Sequence, residues 1–305
     1  GMIDEIEEYA PDALLVFGWN YRTHLRVLRH FHGRLPIFFR GDSTLLDERG
    51  GLRTWARRLA LTWVYRHVDT ALYVGQNNRA YYEAHGLGGD QLAWVPHAID
   101  NDRFADPDGR HADRAMAWRD DLGIPPEAPV VLFAGKLGPK KAPGLLLDAF
   151  LRLDVPDAHL VYAGSGPLED QLQTRATDDV HFLGFQNQSA MPAVYRLGNV
   201  TILPSCGPGE TWGLAINEAM ACGRAVVAST RVGCASDLIE DGKNGFVFAA
   251  ESVSGLQKAL STAFKDSERL ARMGKQSARM IQQWSIEEAT RRTEEALFDH
   301  MPAFR

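Results

Sequence analysis

Short apolar runs alternate with amphipathic stretches almost from one end of the chain to the other. In the first third, runs at 13–17, 36–39, 70–74 and 92–95 read as strands, with helical stretches near 21–32, 51–67 and 77–85 between them. A second series begins at 130–134 and continues at 159–163, 180–183, 200–203, 225–228 and 246–248. Its helices fall near 143–152, 168–176, 189–197, 213–222, 252–264 and 267–283. Strands that alternate with helices predict βαβ units and parallel sheets. Pro143 suits the first turn of its helix, and Gly223 suits a helix C-terminus. Ser285 with Glu288 forms a capping-box pattern that starts a last helix near 286. The stretch 105–129 differs. It holds Pro107, Pro125, Pro126 and Pro129, many charges and little apolar periodicity, and reads as a linker.

The pattern predicts an α/β chain of two Rossmann-like domains, 1–110 and 125–285. A tail at 286–305 is expected to pack back on the first. One count sits uneasily with a full first domain. Only about 110 residues and four strands stand where roughly 150–200 residues are usual. The N-terminal domain is therefore read as shortened, or as entered partway. The stretch 3–9 is acidic and helix-like rather than a strand. The 13–17 or 36–39 strand is then expected at an exposed sheet edge that something must cover.

Composition narrows the class only a little. The 305 residues are 45% hydrophobic and 24% charged, with a net charge of −6, ordinary for a soluble globular chain and unlike a dedicated nucleic-acid binder. Cys206, Cys222 and Cys234 form no CxxC pair and suggest neither a disulfide framework nor zinc. The default reading is a reducing cytoplasm.

Three loops carry candidate chemistry. In Gly135-Lys136-Leu137-Gly138-Pro139-Lys140-Lys141, lysines follow an apolar strand, where ligands of open α/β sheets bind. They suit a pyrophosphate as point charges, or are simply solvated. Gly164-Ser165-Gly166-Pro167 is a second strand–turn–helix junction whose glycines suit close backbone approach to a ligand or merely a tight turn. It is not a GxGxxG fingerprint. The third, Pro204 to Gly223, places Glu210 in a glycine- and proline-rich loop and Glu218 about five residues into a helix that opens near Gly213. The free N–H groups and positive dipole end of that helix make an anion site. Two carboxylates around an anion site suit a sugar diphosphate with hydroxyls at both ends. The plainer alternative is a loop charge and a helix-surface charge.

These blocks, taken together, resemble the retaining GT-B glycosyltransferases of family four, described by a "glycosyl transferases group 1" domain. The resemblance covers roughly residues 130–285. It rests on Gly135-Lys136-Leu137…Lys141, on Ala163-Gly164-Ser165-Gly166-Pro167-Leu168, on Phe182-Leu183-Gly184-Phe185, and on the Glu210-x7-Glu218 block, followed by Ala225–Ser229, Gly233 and Asp241-Gly242-Lys243-Asn244-Gly245-Phe246. It implies that Lys136 and Lys141 bind a donor diphosphate, and that Glu210 meets the donor sugar near its reacting carbon. Glu218 would hold the ribose. Gly164, Gly166, Gly184 and Phe185 would line the base pocket. Thr211, Trp212, Gly213 and Leu214 would bind the donor, with the helix that opens at Gly213 facing the phosphates. The implied reaction is metal-independent transfer from a UDP- or GDP-linked sugar to a sugar, lipid-linked or polysaccharide acceptor, with retention and without a cofactor. Three departures stand out: Lys136 where arginine is usual, Ala142 where glycine follows the lysine, and Cys234 for the second glycine of a pair.

The N-terminal match is looser. Val95-Pro96-His97-Ala98-Ile99-Asp100 resembles the segment before the family's interdomain linker, which absorbs the literal Asp100-Asn101-Asp102 triplet. The family's N-terminal glycine-rich loop is not found. Arg40 and Asp42 follow the strand where many members carry an active-site histidine, so they are candidates for catalysis or an ion pair at a strand end. An inactive nucleotide-sugar-binding module is the alternative function. A Rossmann oxidoreductase is disfavoured for want of a dinucleotide fingerprint.

One stretch is unabsorbed. Residues 19–82 hold eleven arginines and four acids, a net +7. Leu52, Trp55, Leu59 and Trp63 recur at helical spacing among Arg53, Arg57 and Arg58. The ordinary reading is a core-facing stripe with a solvated basic edge. The other is a helix lying on an anionic membrane, making a peripheral contact. A homo-oligomer is a further open possibility.

Overall fold

The fold is that of a computed structural model and is described for residues 1–300. The chain forms two compact units. One comprises Gly1–His97 with the helix Ile286–His300, and the other is Ala98–Ser285.

In the first unit, β1 (Leu14–Phe17), β2 (Ile37–Arg40), β3 (Thr70–Tyr73) and β4 (Leu92–Trp94) form a parallel sheet in chain order. β1 lies at an edge and β2 is internal. Ile37 and Phe39 of β2 point into a core with Leu28, Phe31, Tyr65, Tyr81 and Tyr82. Phe38, one residue out of phase, joins Leu72, Val95 and Ala296 on the other side. Period-two alternation thus sends apolar groups to both faces, as a covered parallel sheet requires. The helix Ile286–His300 supplies Ala289, Ala296 and Leu297 to that second face.

The helix Leu52–Tyr65 departs from its ordinary sequence reading. Its buried residues are Leu61, Val64 and Tyr65. Leu52, Trp55, Leu59 and Trp63 are instead 87%, 63%, 53% and 45% exposed, so the core-facing reading of that stripe is wrong. At about 100° per residue, the helix has two apolar faces on nearly opposite sides. The longer one, which dominated the periodicity, faces outward.

In the second unit, β5 (Val130–Ala134), β6 (His159–Ala163), β7 (Val180–Phe182), β8 (Val200–Leu203), β9 (Ala225–Ser229) and β10 (Gly245–Phe248) are all parallel, in the order β10-β9-β8-β5-β6-β7. Every residue of β5, β6, β8 and β9 is buried, which explains their largely apolar sequences. The chain winds outward from β5 to β7, then returns to lay β8 on the other side of β5. The reversal of strand order between β5 and β8 is a topological switch point, where open α/β sheets place ligands.

The expected linker is more ordered than its composition suggested. Arg110–Asp121 is a helix burying only Ala115 and Arg119. Arg119 donates to the carbonyls of Leu197 (2.7 Å) and Pro126 (2.8 Å) and to Asn199 Oδ1 (3.1 Å). A helix anchored by a buried guanidinium leaves no apolar periodicity to detect. Among the described residues, no helix is long and apolar enough to cross a membrane.

Candidate donor site at the switch point

Three loops meet beyond the carboxyl ends of β5, β6 and β8. The loop after β5 is tied to the loop after β6 by backbone bonds from Gly135 N to Ala163 O and from Leu137 N to Ser165 O, both 2.9 Å. Gly164 N in turn donates to Gly184 O at 2.8 Å. This contact dictates glycine. A Cβ on Gly164 would lie 2.0 Å from Gly135 O, and one on Gly166 would lie 2.5 Å from Leu137 O. The two glycines therefore serve loop-on-loop packing, besides leaving room at the cavity wall.

The loop after β8 carries Glu210, which is 6% exposed. Its carboxylate accepts from Lys141 Nζ at 2.8 and 3.0 Å and from Ser205 Oγ at 2.9 Å. Lys140 donates to Gly209 O at 2.5 Å. Lys141 and Glu210 are thus a positioned pair, with the lysine reaching the cavity. The loop closes on Gly233, whose N–H donates to Glu210 O at 3.0 Å. A Cβ at Gly233 would lie 1.7 Å from Thr211 O. The next residue, Cys234, is fully buried, and its N–H donates to Trp212 O at 2.9 Å, so the departure from a glycine pair is accommodated there.

The helix Leu214–Ala221 begins at Gly213, whose φ of 105° and close neighbours Leu203 and Val232 exclude a side chain. With glycine as N-cap, the cap residue offers no side chain to the helix's first N–H groups. Glu218 lies at its fifth position and is half-buried. Burial raises its pKa, against the opposing effect of a 2.6 Å hydrogen bond from Tyr195. Tyr195 is itself buried, and its phenol is held well above its usual pKa, by burial first and then by Glu218.

A cavity of about 550 Å³ joins these features. Gly135, Lys136, Lys141, Gly164, Gly166, Phe185, Leu214 and Glu218 line it, with Ser165, Gln186, Gln188, Met191 and Tyr195. Eight residues singled out from sequence share this one space. Phe185 is 77% exposed. Gly184, at φ 62°, is not part of the lining and accepts from Gly164 N. Trp212 is buried, its indole donating to Asn217 Oδ1 at 2.9 Å, so it braces the loop. Tyr195 and Ser205 were missed in the sequence. Tyr195 sits in an apolar helix and reads as core, and nothing local links Ser205 to Glu210.

In the first unit, Arg40 donates to the carbonyls of Val95 (3.1 Å) and Pro96 (3.0 Å). Burial lowers the pKa of His97, with Arg40 adding to the effect and Asp42 opposing it. Arg40, Asp42 and His97 therefore gather at the carboxyl ends of β2 and β4, and the arginine's fork is spent partly on backbone. The Asp100 of the Asp-Asn-Asp triplet caps a short helix through Arg103 N at 3.1 Å.

Comparison with known proteins places this geometry. The family model "Glycosyl transferases group 1" matches residues 115–280. A GDP-mannose-dependent alpha-(1-6)-phosphatidylinositol monomannoside mannosyltransferase of Mycolicibacterium smegmatis is 32% identical, over 76% of this chain and 62% of its own. The sulfoquinovosyl transferase SQD2 of Arabidopsis thaliana is 31% identical, over 95% of this chain and 57% of its own. The chain spans about half the length of the curated relatives it matches. Among solved structures, Anabaena HepE in complex with UDP superposes with a TM-score of 0.80 at 21% identity, covering 98% of this chain and 82% of that one. That likeness is one of fold.

Proposed function

This chain belongs to the glycosyl transferases group 1 family, and from that premise we propose that it transfers a glycosyl group from a nucleoside diphosphate sugar to a hydroxyl acceptor, with retention and without a metal. The observation that carries the reading is the single cavity at the switch point, holding Lys136, Lys141, an uncapped helix start and Glu218.

In this reading the diphosphate lies between Lys136, Lys141 and the N–H groups after Gly213. Charge grows there as the bond from the anomeric carbon to the phosphate oxygen breaks. Cations and a helix dipole fixed in advance stabilise that charge in the transition state. Glu218 accepts from the ribose hydroxyls, and Phe185 offers its exposed ring to the base. Glu210 stands beside the sugar and holds Lys141 in place. The acceptor oxygen bonds to the same face of the oxocarbenium-like carbon, and its proton passes to the departing phosphate oxygen. Arg40 and Asp42 are the first unit's own candidates for catalysis. The donor is UDP- or GDP-linked: one relative's name specifies GDP-mannose, and one structural neighbour was solved with UDP. The acceptor is a lipid-linked hydroxyl, a reading supported by the phosphatidylinositol monomannoside in the first relative's name.

The two carboxylates test this assignment. Glu218→Gln is expected to weaken nucleotide binding about 10- to 100-fold, the worth of a charge-assisted hydrogen bond. Glu210→Gln is expected to lower kcat with a smaller change in KM. Equal effects on both parameters in both variants would refute the division of roles.

A further inference from the structure

The exposed face of Leu52–Tyr65 has no part in the cavity. It places Leu52, Trp55, Leu59 and Trp63 in one stripe spanning about 80° of the helix. Leu61, Val64 and Tyr65 hold the helix to the core from the other side. A helix apolar on both faces but covered on only one has a surface waiting for a second partner. Its surroundings are strongly basic. The exposed Arg49, Arg53 and Arg66 flank the stripe, and the Arg29 guanidinium lies 5.6 Å from the centre of the Trp63 ring. Glu48 offsets part of this charge by pairing with Arg58 at 2.8 Å and Arg57 at 3.6 Å. Even so, residues 19–82 carry +7 in a chain whose total is −6.

We infer that this face is a docking surface for an anionic lipid bilayer. Two tryptophans and two leucines fit the boundary between headgroups and acyl chains, where tryptophan is favoured. The arginines meet lipid phosphates, each contributing about fivefold near an anionic surface. A second copy of the chain fits less well, because stacking two such faces would bring their arginine rims together. The inference concerns a surface separate from the donor cavity and does not need the donor reading to hold. It does agree with a lipid-linked acceptor.

The test is flotation of the full chain with vesicles of phosphatidylcholine, with and without about one-third phosphatidylglycerol, the anionic component that arginines would read. The parent is expected to float only with the anionic vesicles, with a blue shift in tryptophan emission. It is expected to be released as salt rises from about 0.1 to 1 M, which shortens the Debye length from about 10 to 3 Å. The double variant Leu52→Ser/Trp55→Ser is expected to lose binding by at least about tenfold. Its thermal unfolding and its response to nucleotides should stay those of the parent, since both side chains point away from the core. Arg53→Glu should weaken binding to anionic vesicles while leaving the fold intact. A parent that fails to float, or a double variant that floats as well as the parent, would overturn the inference. So would a parent that self-associates through this face, with the double variant monomeric and neither floating. Flotation without any response to nucleotides would count against the donor reading alone.

Discussion

At the scale of single residues, the site turns on a few charged groups whose surroundings decide their use. Lys141 is tied to a buried carboxylate and reaches the cavity. Lys141→Ala should weaken nucleoside diphosphate binding about 10- to 100-fold. It should also cost about 1–3 kcal/mol of stability, because Glu210 is left with less compensation; the lysine's partial exposure keeps the loss below that of a fully buried pair. Calorimetric titration and a denaturant melt read the two effects separately. Glu218 makes a pH prediction with two opposite signs. Burial raises its pKa above the ordinary 4.5, so the folded chain holds this proton to higher pH than the unfolded one. The stability linked to it is therefore greatest below pH 4.5 and falls as pH rises through the folded value. Nucleotide affinity should rise over the same window, since the ionised carboxylate is the stronger acceptor for ribose hydroxyls. Glu218→Gln should flatten both slopes relative to the parent, and titrations upward from the ordinary carboxylate range would show it. Most of these residues were legible in the sequence, because loops after apolar strands announce where ligands sit. Tyr195 was not, since a tyrosine in an apolar helix looks the same whether it fills a core or orients a carboxylate.

At the scale of elements, the site depends on loops packed backbone to backbone. Gly164 and Gly233 have no room for a Cβ, with carbonyls at 2.0 and 1.7 Å. Gly164→Ala should therefore destabilise the second unit by about 2–5 kcal/mol through overpacking and a strained φ, and should abolish nucleotide binding. A variant that melts like the parent and binds nucleotide normally would contradict this. The spacing of the glycines was readable in the sequence; what they pack against was not, because close approach of two loops distant in sequence leaves no local mark. The same limit hid the helix Arg110–Asp121, whose anchor is one buried guanidinium. It also misassigned the face of Leu52–Tyr65. Periodicity reports that a helix has an apolar stripe, and when a helix has two, it cannot say which one the core takes.

At the scale of the whole molecule, the alternation of apolar runs with amphipathic stretches predicted two parallel α/β sheets, and both are present. Strand order was not written in the pattern. The return of β8 to the far side of β5 creates the switch point that gathers the three candidate loops, and that is a property of the assembled sheet. The central claim is that the unit Ala98–Ser285 holds a nucleoside diphosphate sugar in this cavity. The most direct measurement is the thermal unfolding of the full chain with UDP, GDP and their sugars, run beside Lys141→Ala and Glu218→Gln. A ligand at about 100 times its Kd adds about 2.7 kcal/mol of stability, so at least one of these nucleotides should raise the parent's Tm by several degrees and leave both variants nearly unshifted at the same concentration. No shift with any nucleotide, or an equal shift in the parent and both variants, would contradict the account.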